Sequence, residues 1–206
     1  MRIRMFLLLA LLAALPLQAQ STYLPWKWHF GLGYPIAIGT TSDAANGVFR
    51  LATGGIKPFH PNLGFRFDVE WDRLHPSSKI LNLYNAQGGY ANIWTASAGL
   101  HYNFNRMASG TGFYTFGGIG SSYKQGYLTE PGVAWWCDPW WGICYPVGAD
   151  VVKGKKTDTA LSANGGIGMG WPLMRGTEFY VETKYQWVNG NRVSWEYVPV
   201  TIGWRW

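Results

Sequence analysis

The residues Glu196–Trp206 alternate between apolar side chains and other side chains without a break. One face of this segment carries Val198, Val200, Ile202, Trp204 and Trp206. Alternation with a period of two predicts a β-strand with one apolar face. A soluble domain seldom leaves two large tryptophans on an uncovered strand of this kind. A strand that faces lipid does have a use for them.

Charged side chains take every second position in two other segments. In Leu63–Leu74 the apolar face contains Leu63, Phe65, Phe67, Val69 and Trp71, and the other face contains Gly64, Arg66, Asp68, Glu70 and Asp72. Thr177–Val188 repeats the pattern with Glu178, Glu182, Lys184 and Gln186 on one face. A helix would scatter these charges around its circumference, so the sequence predicts two-faced strands.

The whole chain divides into eight such segments. The predicted strands are Trp26–Tyr34, Phe49–Phe59, Leu63–Leu74, Tyr90–Phe104, Phe113–Tyr127, Thr159–Leu173, Thr177–Val188 and Glu196–Trp206. The glycine-rich pattern of Phe113–Tyr127 suits either face. Short turns are predicted at His60–Asn62, Asn105–Gly112 and Met174–Gly176, and loops at Thr40–Gly47, His75–Gly89, Leu128–Asp158 and Asn189–Trp195. We therefore predict an all-β fold, an eight-stranded antiparallel transmembrane β-barrel with short periplasmic turns and longer outer loops.

The beginning of the chain is typical of an export signal. Arg2 and Arg4 precede an apolar run from Met5 to Leu17, and small residues follow near Ala19. This run is shorter than the roughly 20 residues of a membrane-spanning helix. We expect residues 1–19 to be a cleaved signal peptide and residues 20–206 to form the barrel.

The composition agrees with a membrane barrel. The chain contains 13 Trp, 12 Tyr and 10 Phe, with only 14% charged residues, which is too aromatic for an ordinary soluble surface. The net charge of +6 is not gathered into a basic stripe, so we expect no nucleic-acid partner.

Four stretches together resemble a known family. They are G-F-Y-T-F-G-G-I-G (Gly112–Gly120), N-G-G-I-G-M-G (Asn164–Gly170), F-Y-V-E-T-K-Y (Phe179–Tyr185) and V-P-V-T-I-G-W-R-W (Val198–Trp206). Their order and spacing resemble the small outer-membrane β-barrels of the OmpA-like, OmpX-like and opacity-type group. The resemblance implies a place in the outer membrane of a Gram-negative bacterium, in contact with its lipid. It also implies that Val200, Ile202, Trp204 and Trp206 form the strand that the barrel-assembly machinery recognises during biogenesis.

The polar faces of the predicted strands would meet inside the barrel. They bring together Arg66, Asp68, Glu70, Asp72, Glu178, Glu182, Lys184 and Arg205. The interior of an eight-stranded barrel is just wide enough for side chains to fill it. Buried charges need partners, so we expect a plug of salt bridges that holds the barrel closed. A gated proton or ion path is the other interpretation of the same charges.

The stretch Ala134–Pro146 contains the only two cysteines, Cys137 and Cys144. A close pair in an exported protein predicts a disulfide, which would stabilise the fold by about 2 kcal/mol in the loop-entropy model. Two thiols without a nearby histidine are too few ligands for a metal site. Trp135, Trp136, Trp140 and Trp141 flank the pair. They form either a self-packed loop cap or an exposed patch that binds a protein, a glycan or a lipid headgroup.

The sequence gives little support for a catalytic site. His75, Ser77 and His101 are candidates for a base or a nucleophile, but no positioned base and orienting acid accompany Ser77 in the pattern. We therefore expect no enzyme and no cofactor. The predicted role is structural or surface interaction through the outer loops. A narrow, porin-like pore for small solutes or ions is the first alternative, and a lipid-modifying enzyme is the second.

Overall fold

The computed structural model describes residues 25–104, 111–137, 144–174, 176–190 and 194–206. Eight antiparallel strands pair in chain order, and the last pairs with the first to close a barrel. The strands are β1 (Lys27–Ala37), β2 (Ala45–Pro58), β3 (Leu63–Pro76), β4 (Gly88–Asn103), β5 (Gly112–Cys137), β6 (Cys144–Met174), β7 (Thr177–Val188) and β8 (Trp195–Arg205). The predicted eight-stranded antiparallel barrel is confirmed. The predicted signal peptide lies outside the described residues.

The two ends of the barrel differ in their connections. The β2–β3 and β6–β7 connections are short, and Gly176 has a φ of 81°, a conformation that favours glycine in such a tight turn. We call this the turn end. The opposite loop end contains two short helices, α1 (Thr40–Ala44) and α2 (Ser78–Leu83), within segments predicted as loops. Neither helix is long and apolar enough to cross a membrane. Of the predicted turn Asn105–Gly112, residues 105–110 lie outside the described chain.

The seam between β1 and β8 closes the barrel. At the turn end the Trp28 N–H donates to the Trp206 carbonyl at 2.8 Å, and the Trp206 N–H donates to the Trp28 carbonyl at 2.9 Å. The pairing then continues through Phe30 with Trp204 and on to Ala37 with Tyr197. The wall therefore has no unpaired strand along this seam.

The prediction that Leu128–Asp158 is a loop is wrong. β5 and β6 pair continuously until Cys137 faces Cys144. β4 pairs with β5 only as far as Thr129, and β7 pairs with β6 only from Ser162. Residues 130–137 and 144–151 therefore extend beyond the wall as a two-stranded hairpin, which we call the hairpin arm. Outside the wall no face must be apolar, so the sequence shows no alternation there.

A β-bulge marks the base of the hairpin arm. Leu128 pairs with Gly154 and Thr129 with Val152, so Lys153 is the extra residue in β6. The Lys153 ammonium pairs with Glu130 and donates to the Asn85 carbonyl at 3.3 Å. These contacts connect the base of the arm to the segment that follows α2.

The structure also settles the orientation of β5, which the sequence left open. Tyr114 and Phe116 are buried inside the barrel, whereas Phe113 and Ile119 are exposed on the outer face. In β8 the outer face carries Val200, Ile202 and Trp204, and Thr201 and Arg205 are buried. The alternation predicted for this strand is confirmed.

Aromatic side chains form two rows across the outer face. Near the turn end the Phe179 ring lies 5.9 Å from the Trp171 ring and 6.3 Å from the Trp204 ring. Toward the loop end the Trp71 ring stacks on the Trp94 ring at 5.7 Å. Two aromatic girdles around an apolar band are typical of membrane barrels, where the rings lie at the lipid headgroups.

Candidate functional site: the barrel interior and its loop end

The inward-facing positions of the strands change character along the barrel axis. In β3 the order from the loop end is Leu74, Asp72, Glu70, Asp68 and Arg66, and all five are at most 4% exposed. The interior therefore begins with an apolar level at the loop end and becomes charged toward the turn end.

The first charged group lies just below the apolar level. Arg50 contacts Glu70 at 2.6 Å and Asp72 at 2.8 Å, and Lys184 contacts Glu70 at 2.5 Å. The Tyr197 hydroxyl donates to Asp72 Oδ2 at 3.0 Å. Two cations thus face two anions. This balance is what burial in a low-dielectric interior requires.

The second charged group is centred on Arg66. Its guanidinium contacts Asp68 and Glu182, both at 2.8 Å. Asp68 Oδ1 also lies 2.8 Å from His29 Nε2, and the Tyr114 hydroxyl donates to Glu182 at 3.1 Å. Glu182 therefore accepts from two donors, and Asp68 lies between the Arg66 guanidinium and the His29 ring; these contacts fix the orientation of both carboxylates.

Among the described residues, the turn end has one further ion pair. Arg205 Nη1 donates to Glu178 at 3.2 Å. The Arg205 guanidinium also lies over the Tyr114 ring at 4.7 Å and the Tyr180 ring at 5.0 Å, as cation–π contacts do. Planar rings and guanidinium groups therefore fill this end of the interior.

The structure brings all eight predicted lumen charges to the inner face and gives each an oppositely charged partner. Sequence reasoning missed Arg50, His29 and Tyr197. Arg50 alternates with Phe49 and Leu51, so an assignment of faces in the predicted strand Phe49–Phe59 would have placed it inside.

The loop end of the interior is built differently. Small and apolar side chains form a layer there, namely Ala45, Leu74, Ala91, Ile93, Val188 and Tyr197, with Trp195 packed against it. Above this layer lies a half-open cavity of about 590 Å³. Its walls include Tyr84, Ile93, Lys124, Lys156 and Trp195. No residue of this cavity was predicted as a site.

Three solved structures share this architecture. Neisserial surface protein A is 12% identical and has a TM-score of 0.53, and the match covers 87% of this chain and 95% of that chain. This chain has the fold of the small eight-stranded outer-membrane barrels. A major outer membrane protein from Thermus thermophilus is 12% identical with a TM-score of 0.51, covering 89% and 99% of the two chains. Ail, the attachment invasion locus protein of Yersinia pestis in complex with the heparin analogue sucrose octasulfate, is 13% identical with a TM-score of 0.50, covering 89% and 100%.

Comparisons with protein-family profiles and with curated proteins find no match. At 12–13% identity, the likeness to the three barrels shows the fold alone. Any role must therefore be argued from this chain's own residues.

The predicted disulfide is present in the barrel's hairpin arm. Cys137 and Cys144 are bonded, and they join the last described residues of the two arm strands. Trp135 and Trp136 lie on β5 within the arm. Trp140 and Trp141 lie outside the described residues, so the aromatic patch stays a prediction.

The candidate catalytic residues are not brought together in this barrel. His75 lies at the loop end, where its Nδ1 is 2.9 Å from the Gly89 carbonyl. His101 is buried near the turn end, 3.3 Å from Asn103 Oδ1. The Ser77 hydroxyl donates to the backbone carbonyl of Asp43. Among the described residues, no group of three or more His, Cys, Asp or Glu could hold a metal ion.

Proposed function

We propose that this protein is a bacterial outer-membrane barrel with an ion-paired, closed interior and a surface-interaction role at its loop end. Residues 1–19 direct its export, and the surrounding lipid is its first partner. One observation carries the proposal: charged side chains are buried inside the wall, whereas large apolar side chains cover the outside. A water-soluble protein has the reverse arrangement.

The outer face supports the membrane placement. Ile119, Leu161 and Ile167 are 69%, 63% and 62% exposed, and large apolar side chains are exposed on every strand. In water this band would be far larger than the apolar patches that soluble monomers tolerate. In a bilayer the band would contact hydrocarbon, so its exposure would carry no free-energy penalty.

The interior supports a closed wall rather than a pore. Arg66 of β3 contacts Glu182 of β7, and Lys184 of β7 contacts Glu70 of β3, so both side chains cross the lumen. Arg50 of β2 pairs with Glu70 of the neighbouring strand β3. These side chains fill the space that a narrow channel would need. A structural and surface role therefore fits the geometry better than conduction.

The loop end supports the surface role. The hairpin arm extends beyond the wall on two paired strands, with a disulfide joining Cys137 and Cys144. A covalently joined hairpin loses less entropy on binding than a free loop does. Because Ail has been crystallised with a heparin analogue, a sulfated polysaccharide is the first surface ligand to test here.

The membrane placement is tested by electrophoresis of outer-membrane fractions, unheated against boiled. We expect a heat-dependent shift in mobility, because a closed hydrogen-bonded barrel resists SDS until it is heated. Recovery of the protein from the soluble periplasm, without a shift, would contradict the proposal. Conductance measurements on the refolded protein in planar bilayers test the pore alternative. We expect no discrete channel openings.

The surface role is tested with proteoliposomes and immobilised heparin. We expect Trp140→Ala with Trp141→Ala to reduce binding, since aromatic side chains dominate most recognition surfaces. The matched control is Leu83→Ala, which removes an exposed apolar side chain at the loop end outside the arm. Equal binding by wild type and the Trp variant would contradict the role of the arm. The enzyme alternative is tested separately with lipid A in the proteoliposomes, and loss of its acyl chains would indicate that alternative.

A further inference from the structure

We propose that the cavity at the loop end is a binding site for a small organic anion that carries an aromatic or other apolar ring. The cavity lies inside the mouth of the barrel, whereas the surface role above was assigned to the hairpin arm. Each proposal can therefore fail without the other.

The size and shape of the cavity suit a small molecule. Its volume of about 590 Å³ falls within the range of roughly 300–1,000 Å³ that small-molecule sites occupy. The space exists because the β5 position that faces it is Gly126, which pairs with Ala91 on one side and Lys156 on the other. A Cβ at Gly126 would meet nothing closer than the Lys156 carbonyl oxygen at 4.0 Å.

The charges at the cavity wall favour an anion. Lys124 is only 8% exposed, and its ammonium is 3.0 Å from Asp158 Oδ2 and donates to the Asn189 carbonyl at 2.9 Å. Lys124 and Asp158 therefore neutralise each other. Lys156 also lines the cavity, and it forms no ion pair within the part of the chain that the structure describes. Among the described residues of the wall, one positive charge is therefore left unbalanced, and a carboxylate, sulfonate or phosphate would balance it.

The other walls favour a ring. Ala91 and Ile93 belong to the apolar layer below the cavity, and Trp195 packs against that layer while also lining the cavity. Tyr84 approaches from the segment after α2. Aromatic side chains gain free energy by stacking on a ring, whereas an inorganic anion would leave these walls in contact with water. The combination of Lys156 with Trp195 therefore selects an amphiphilic anion.

The test uses the full chain refolded in lipid nanodiscs, with binding measured by saturation-transfer NMR and calorimetry. The probes are 2-naphthalenesulfonate, the neutral 2-naphthylmethanol and inorganic sulfate, with empty nanodiscs to correct for partition into lipid. We expect the sulfonate to bind most tightly. Sulfate binding as tightly as the sulfonate would overturn the ring requirement, and no binding of the sulfonate at roughly 10 mM would overturn the site.

Two pairs of variants locate the binding. Gly126→Trp fills the cavity and should weaken sulfonate binding at least about tenfold. Gly154→Trp is the matched control, because a Cβ there meets nothing within 4 Å and Gly154 is not among the described residues that line the cavity. Lys156→Glu should weaken the sulfonate by a similar factor and leave the neutral probe unchanged, while Lys155→Glu should change neither.

The heat-dependent gel shift shows in each case that the variant has folded. Sulfonate binding that is unchanged in a folded Gly126→Trp or Lys156→Glu protein would overturn the proposal. A normal gel shift without sulfonate binding would leave the membrane placement standing, so the two proposals fail independently.

Discussion

Two glycines on the inner face, Gly168 near the turn end and Gly126 at the loop end, occupy equivalent places in the alternation of adjacent strands. A Cβ at Gly168 would lie 2.3 Å from Cζ of Tyr114. A Cβ at Gly126 would lie 4.0 Å from its nearest neighbour. The first glycine makes room for a ring that fills the interior, and the second leaves a cavity. The same residue in the same pattern therefore has opposite consequences, depending on the side chains of the neighbouring strands.

The difference extends to the levels around each glycine. Near Gly168 the interior is filled by arginines, carboxylates and tyrosines that share hydrogen bonds, as Arg66 and Glu182 do. Around Gly126 the described residues instead form apolar walls and one partly buried ion pair. We expect changes in the charged half to cost far more free energy of unfolding than changes at the loop end.

The largest effect is expected from Glu70→Gln in the charged half. This change leaves Arg50 and Lys184 facing the single anion Asp72, so one buried cation loses its counter-charge. We expect the free energy of unfolding to fall by about 3 kcal/mol or more, measured by urea titration in lipid vesicles.

Two controls sharpen the Glu70→Gln experiment. Adding Lys184→Met restores the balance of one cation to one anion, and should recover much of the loss. Asp43→Asn removes an exposed carboxylate that pairs with Lys79, and should cost less than about 1 kcal/mol. If Glu70→Gln and Asp43→Asn lowered the free energy of unfolding equally, the expected difference between interior and surface charges would be wrong.

The next effect is expected from an added methyl group at the two glycines. Gly168→Ala forces the Tyr114 ring to move and should reduce stability by about 1–3 kcal/mol, as overpacking of an interior does. Gly126→Ala should change stability by less than about 0.5 kcal/mol. Urea titration of both variants measures the difference directly. Equal costs would mean that the cavity is not open space.

A smaller effect is expected from Tyr197→Phe, at the boundary between the two halves. The change removes the hydroxyl that donates to Asp72. Asp72 keeps two hydrogen bonds from Arg50, at 2.8 and 2.9 Å, so it is not left without a donor. We expect a loss of about 1 kcal/mol by urea titration, and no loss in the exposed control Tyr84→Phe.

The smallest effect on the wall is expected from reduction of the disulfide. The reduced arm can unfold by itself without opening the wall, because residues 130–137 pair only with β6. Reduction should therefore lower barrel stability by less than about 1 kcal/mol, below the full loop-entropy value. Limited proteolysis should show faster cleavage near Cys137. A large fall in barrel stability would instead mean that the arm and the wall unfold together.

The charged interior was largely predictable because β3 and β7 alternate without interruption. Five inward positions of Leu63–Leu74 could be assigned from the sequence alone, and four of them carry charges. Arg50 was missed because Gly54 and Gly55 interrupt the apolar pattern of its strand. The pairing partners of these charges could not be predicted, because they depend on the register between strands, which a period of two does not specify.

The cavity and the hairpin arm could not be predicted in the same way. The cavity depends on Gly126 facing Ala91 and Lys156 in neighbouring strands, and this is a fact of register between three strands. The arm has no covered face, so nothing selects alternating side chains along it. Alternation thus predicts strands where one face lines the closed interior, and fails where neither face is covered.

The seam of the barrel has a consequence for the speed of folding. It joins residue 28 to residue 206, whereas every other pairing in the wall joins strands that are neighbours in sequence. Contacts with such a long sequence separation raise the contact order, and the entropy of closing so large a loop opposes them. We expect the seven hairpins to form before the seam. Until it closes, the free edges of β1 and β8 can pair with those of another chain.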